Sequence, residues 1–202
     1  MPDASEIFEY AIAEHLRVIQ ALHLQQPLLE RIALVMSHAI LNGKKILWCG
    51  NGGSAAEAEH MAAELVGRFQ LERHGLASIA LTANTSVITA IGNDYGFEHV
   101  FRRQVEALCV AGDVVVGIST SGNSRNVCTA LEAARGLGAF TVAFTGQHGG
   151  AIAGIAHETL QIASVETARI QEGHILCGHM LCDYIERCVH ESDHAAAEGN
   201  SQ

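Results

Sequence analysis

The stretch that most constrains this chain runs from Lys45 to Glu64, KILWCGNGGSAAEAEHMAAE. Ile46, Leu47, Trp48 and Cys49 form an apolar run long enough for a buried strand. The run breaks at Gly50-Asn51-Gly52-Gly53-Ser54 and resumes as an alanine-rich helix. A strand that ends in glycines and restarts as a helix aims free backbone N–H groups and a positive dipole end at one point. That point suits an anion, most often a phosphate. His60 and Glu64 are spaced i, i+4, so on a helix they project from one face. The chain thus offers an anion cradle with a base or metal-ligand pair about two turns beyond it.

The flanking sequence predicts an α/β fold. An apolar stripe at Phe8, Ala11, Ile12, Leu16, Ile19 and Leu22 predicts a helix over residues 4–24, and a second covers Leu28–Leu41, stopped by Asn42-Gly43. From Lys45 the pattern alternates. Strand 46–49 leads to helix 54–67, and strand Ile79–Leu81 to a short helical stretch near Ser86–Ile91. A break at Gly92-Asn93-Asp94-Tyr95-Gly96 precedes a helix over Phe97–Leu108. Strand Val114–Ile118 leads to helix Arg125–Leu137, strand Thr141–Phe144 to a glycine-rich turn at Gly146–Gly150, and strand Thr159–Ile162 to a last helix over Thr167–Val189. Short continuous apolar runs alternating with helices predict a three-layer, doubly wound parallel sheet. No repeat or linker divides residues 1–202, so a single domain is expected, with N-terminal helices at 1–43, a core at 45–190 and a disordered polar tail at 191–202. The two N-terminal helices have few partners in so small a domain, so they pack either on another subunit or on their own sheet.

Charge and cysteine usage exclude several classes. A formal net charge of −10 argues against broad attraction to nucleic acid. The six cysteines form no C-x-x-C pair and sit mostly among apolar residues. No basic region precedes an apolar run at the N-terminus, and no apolar stretch approaches the ~20 residues that span a bilayer. The expectation is a reduced, cytoplasmic protein with neither a membrane nor a nucleic-acid partner.

Further candidates lie in later loops. G-N-G-G-S-A also fits the dinucleotide fingerprint, but the second strand ends Leu81-Thr82-Ala83-Asn84 without the carboxylate that would hold a ribose. Ser54 and Glu57 have capping-box spacing, which predicts that they close the helix start. A second anion loop, Ser119-Thr120-Ser121-Gly122-Asn123-Ser124, clusters hydroxyl and N–H donors between a strand and a helix. Both loops fall at the carboxyl ends of strands, where ligands of open α/β sheets bind. On the last helix Gln171 and His179 lie about 80° apart. With His60 and Glu64 they could form a nitrogen and oxygen ligand set suited to zinc or a similar divalent ion. His174, Cys177 and Cys182 imitate such a site and are read instead as a packed helix face. Asn93 and Asp94 in the break, and Arg68 after the first core helix, could form a turn and a solvated helix end or hold a sugar phosphate.

CGNGGSAAEAEHMAAELVGRF, AIGNDYGFEHVF, GDVVVGISTSGNSRNV and TARIQEGHILCGH occur in that order. Together they resemble the sedoheptulose-7-phosphate isomerase (phosphoheptose isomerase) family of sugar-isomerase (SIS) domain proteins. The resemblance implies a five-stranded parallel sheet and a homotetramer with active sites at subunit interfaces, the N-terminal helices serving assembly. It implies conversion of D-sedoheptulose 7-phosphate to D-glycero-D-manno-heptose 7-phosphate through an enediol, towards the heptose of lipopolysaccharide or related glycans. Substrate-binding positions carry over to Asn51, Gly52, Gly53, Ser54, Glu64, Arg68, Asn93, Asp94, Ser119, Thr120, Ser121, Ser124 and Gln171. One zinc ion per subunit falls to His60, Glu64, Gln171 and His179, and acid/base catalysis to Glu64 and His179. Some members carry an aspartate where this chain has Ala168. Two alternatives share these loops: a tetrameric, non-catalytic adaptor of replication initiation, which lacks the carboxylate and terminal histidine, and an isomerase of another sugar phosphate.

Overall fold

The computed structural model describes residues 2–199. Five strands form one sheet: β1 (Ile46–Gly50), β2 (Ser78–Ala80), β3 (Val114–Ser119), β4 (Phe140–Gly146) and β5 (Glu158–Ile162). All pairings are parallel, in the order β2-β1-β3-β4-β5. Seven α-helices surround it: α1 (Ala4–Ala21), α2 (Gln26–Leu41), α3 (Gly53–Val66), α4 (Thr85–Tyr95), α5 (Arg102–Leu108), α6 (Arg125–Gly136) and α7 (Thr167–Gly199). Because both sheet faces are covered, β1 and β3 are buried at every residue, as their continuous apolar runs require. One core packs α2, α3 and α7 on one face, around Trp48, Met36, Met61 and Phe144. The other packs α5 and α6, the latter through Leu131, against Leu47 and Val115. The chain reverses direction at β1, with β2 on one side and β3 on the other, which brings the loops after β1 and β3 side by side.

Four expectations are corrected. The break at 92–96 is helical almost throughout: α4 runs to Tyr95 and stops at Gly96, whose φ of 93° favours glycine. Asn93 and Asp94 therefore lie in a last helical turn. The helix expected over Phe97–Leu108 divides into a 3-10 turn at Phe97–His99 and α5. The last helix continues well past Val189 to Gly199, so the tail expected to be disordered is helical as far as that residue; 200–202 lie outside the described residues. The capping box does not form. Helix α3 starts at Gly53 with Gly52 as N-cap (φ 55°), so Ser54 is already inside the helix and Glu57 is turned inward and buried.

The stripe on α1 is present but unpaired within the chain. Val18 and the following Leu22 are buried, whereas Phe8, Ile12 and Leu16 are 65%, 61% and 55% exposed.

Candidate active site

Three chemically active side chains meet where α3 and α7 run together. His60 Nε2 lies 2.9 Å from His179 Nε2 and 3.4 Å from Glu64 Oε1. One ligand atom from each residue falls within 4.8 Å of the others. His60 and Glu64 share one face of α3, as their spacing requires. The ring of His179 arrives from α7, meets His60 edge-to-face at 5.1 Å and stacks on Phe69 at 5.4 Å. Two imidazole nitrogens this close can share a proton or face one cation. A tetrahedral ion bound at about 2.1 Å has ligand atoms about 3.4 Å apart. The His60–Glu64 separation of 3.4 Å matches such an ion, the His60–His179 separation of 2.9 Å would have to widen, and the donor set suits a divalent transition metal.

Gln171 is placed elsewhere on α7. A Cβ on Gly53 would lie 2.1 Å from its Nε2, so the amide lies directly over the start of α3. Gly53 precedes His60 by about 10 Å of helix axis at 1.5 Å per residue. Gln171 would have to turn towards His179 to act as a fourth ligand.

The loop carrying Phe69 is held by a buried carboxylate that sequence patterning did not reveal. Glu186 accepts the backbone N–H groups of Phe69 (2.8 Å), Gln70 (2.6 Å) and Leu71 (2.7 Å) and pairs with Arg73 at 3.1 Å. Arg73 also donates to the carbonyls of Leu65 and Glu64 at the end of α3. Burial pushes the Glu186 carboxyl up, but the three N–H donors and the Arg73 guanidinium outweigh it and hold it below its ordinary value. Arg68, outside this network, is exposed and 3.8 Å from Glu72.

The two anion loops are clasped together at the end of the sheet. Asn51 Nδ2 donates to Asn126 Oδ1 at 2.9 Å, and Asn126 Nδ2 donates back to Asn51 Oδ1 at 2.8 Å. Asn126 is a candidate site residue missed in the sequence, where nothing local singles it out. In the second loop Ser119 and Ser124 share a hydroxyl hydrogen bond of 2.9 Å. Ser124 is the N-cap of α6 without a side-chain cap bond, which leaves the helix start facing the loop. Ser121 Oγ accepts from Asn123 N–H, and Asn123 Oδ1 accepts from Ala151 N–H. Gly122 (φ 67°) packs so closely that a Cβ there would lie 2.0 Å from the Gly149 carbonyl. A cleft of about 330 Å³ opens beside the loops, lined by Asn51, Phe97, Glu98, Ser124, Arg125 and Asn126. A larger hollow of about 750 Å³, against β2 and between α4 and α5, contains none of the predicted site residues.

Asn93 and Asp94 bond to each other at 2.8 Å on the exposed end of α4. Cys177 and Cys182 belong to the packed face of α7 as expected, burial pushing both thiols up to about 12. His174 is also buried on that face, but its ring nitrogens point at polar groups.

A five-stranded parallel sheet with donor loops at its switch point and an acid/base cluster between two flanking helices defines a sugar-isomerase type of α/β domain. The SIS domain family matches residues 9–146. Within that class the chain belongs to the phosphoheptose isomerase family. It is 58% identical over 160 residues to the phosphoheptose isomerase of Aquifex aeolicus, covering 79% of this chain and 84% of that protein. To that of Geobacter sulfurreducens it is 54% identical over 174 residues, covering 85% and 91%. The solved phosphoheptose isomerase of Neisseria gonorrhoeae superposes with a TM-score of 0.87 at 46% identity, covering 92% of this chain and all of that one.

Proposed function

We propose that this protein isomerises D-sedoheptulose 7-phosphate to D-glycero-D-manno-heptose 7-phosphate through an enediol, the first step of ADP- or GDP-heptose precursor synthesis. The observation that carries the reading is the meeting of Glu64 with His179 across two helices. Aldose–ketose exchange needs a base for a carbon-bound proton and an acid for the carbonyl oxygen. Glu64 takes a proton from C1 of the ketose while His179 protonates O2, giving the enediol. His179 then removes the O1 proton as Glu64 returns a proton to C2. Each such step is typically worth ~10²–10⁴-fold. Ser119, Thr120, Ser121 and Ser124 bind the phosphate. Asn51, Gly52, Gly53, Ser54, Arg68, Asn93, Asp94 and Gln171 hold the rest of the substrate. The non-catalytic adaptor is disfavoured, since it lacks the two groups that meet here.

A zinc ion, one per subunit, would be held by His60, Glu64, His179 and Gln171. When bound it would polarise the substrate carbonyl. One atom cannot ligate the ion and transfer a proton at the same moment, so a bound ion would compete with the proton-transfer role of Glu64 and His179. Homotetrameric assembly is supported by the exposed Phe8, Ile12 and Leu16 on α1. Six free cysteines fit a reducing, cytoplasmic location, and among the described residues no helix is long and apolar enough to cross a membrane.

The test follows aldoheptose 7-phosphate formation from sedoheptulose 7-phosphate, with and without zinc and a chelator, and for Glu64→Gln. Loss of turnover in the variant with sugar-phosphate binding retained is expected. Full activity in Glu64→Gln would sink the assignment, and chelator-resistant turnover would remove the metal from it. A panel of ketose phosphates of different chain length tests the substrate.

A further inference from the structure

We infer that Glu57 and His174 form a buried carboxylate–imidazolium pair, and that this pair positions α3 against α7 so that His60 and Glu64 face His179. His174 Nε2 lies 3.2 Å from the carbonyl oxygen of Thr145. A carbonyl only accepts, so that nitrogen carries a hydrogen. In a neutral ring Nδ1 would then present a lone pair, and it faces Glu57 Oε2 at 3.6 Å. Both atoms are buried without a hydrogen-bond partner, in residues only 2% and 7% exposed. Two lone pairs facing each other away from water are unfavourable, and one added proton turns that repulsion into attraction. The Phe144 ring lies beside it, at 5.5 Å between centroids.

The pair lies midway along the helix contact. Gln171 over Gly53 is one turn before it, and His60 with His179 is about one turn after it. Between the pair and the end of the contact the packing is apolar: Met61 lies against Gly178, and Cys182 Sγ is 4.0 Å from Met61 Sδ. A directional polar pair buried between two helices sets register, which is the best-attested use of such groups. Neither residue belongs to the acid/base cluster, so the role is positioning. The inference deepens the isomerase reading and rests on it for its kinetic arm only.

The test compares wild type with Glu57→Ala and Glu57→Gln by proton and nitrogen NMR of the ring and by steady-state kinetics. The wild type should show a downfield proton resonance at His174 Nδ1, absent in Glu57→Ala. Glu57→Ala should lower kcat by ~10–100-fold with KM little changed, since misplacement by about 1 Å can cost 10²-fold. In Glu57→Gln the amide N–H can donate to a neutral Nδ1, so kcat should recover most of that loss. A bare Nδ1 in the wild type, or an undiminished kcat in folded Glu57→Ala, would overturn the inference. So would equal losses in the two variants. The NMR arm needs no turnover, so it separates failure of this pair from failure of the isomerase assignment, and Glu57→Gln serves if the alanine variant does not fold.

Discussion

Replacing Glu186 by Gln keeps the side chain's shape and removes its charge from a fully buried site. The carboxylate serves donors on both oxygens: Oε1 takes Phe69 N–H and faces Arg73, and Oε2 takes the N–H groups of Gln70 and Leu71. A glutamine has one acceptor oxygen, so in either orientation its NH₂ confronts at least one buried N–H donor. Each lost hydrogen bond to a charged acceptor is worth about 1.5–3 kcal/mol. Arg73, whose side chain is 1% exposed, also loses its counter-charge. Breaking a buried pair from one side costs about 3–5 kcal/mol. At 2–4 °C per kcal/mol for a chain of this size, the melting temperature should fall by roughly 6–20 °C. Urea unfolding at fixed protein concentration should show a lower midpoint with unchanged slope. Because the loop carries Phe69 against His179, turnover should fall in the variant below its melting transition. A Glu186→Gln protein within about 1 kcal/mol of wild type would refute the reasoning.

The same carboxylate gives a pH signature. Its folded value lies below the ordinary one, so its stabilisation is complete above the unfolded value of about 4.3 and is lost as pH falls through the lower folded value. The stability gap between wild type and Glu186→Gln should be flat near neutrality and close in acid. Gly122→Ala should raise KM for the sugar phosphate and cost at least the ~1–2 kcal/mol of a left-handed non-glycine residue, read by calorimetry and inhibition by inorganic phosphate. Gly178→Ala puts a methyl group 2.3 Å from Met61 Sδ and should cost about 1–3 kcal/mol by overpacking, with loss of kcat as α3 and α7 separate. Thiol titration of the native protein at pH 8 should leave Cys49, Cys177 and Cys182 unreacted, since burial pushes all three up to about 12. Labelling of any of them before unfolding would contradict the packing.

The local grammar of the chain was readable residue by residue. Apolar runs such as Ile46–Cys49 specify strands, glycine and serine clusters specify the loops after β1 and β3, and the i, i+4 spacing of His60 and Glu64 specifies a shared helix face. These signals act within one or two turns, and the structure follows them. Where two local signals competed, distance decided. Helix α4 ran through Gly92, which keeps helical geometry, and the stop fell at Gly96, where φ is positive. Glu57 has capping-box spacing, yet a start at Gly53 turned it towards His174, far away in the chain. The convergence of His179 on His60, the Asn51–Asn126 clasp and the anchoring of the Phe69 loop by Glu186 all join residues with no common periodicity. Sequence by itself determined which segments are strands, helices and donor loops, because that choice is made by neighbours along the backbone. Only the tertiary structure decided which side chains share a site, because that depends on the register at which α7 lies along α3 and on which strands are adjacent in the sheet.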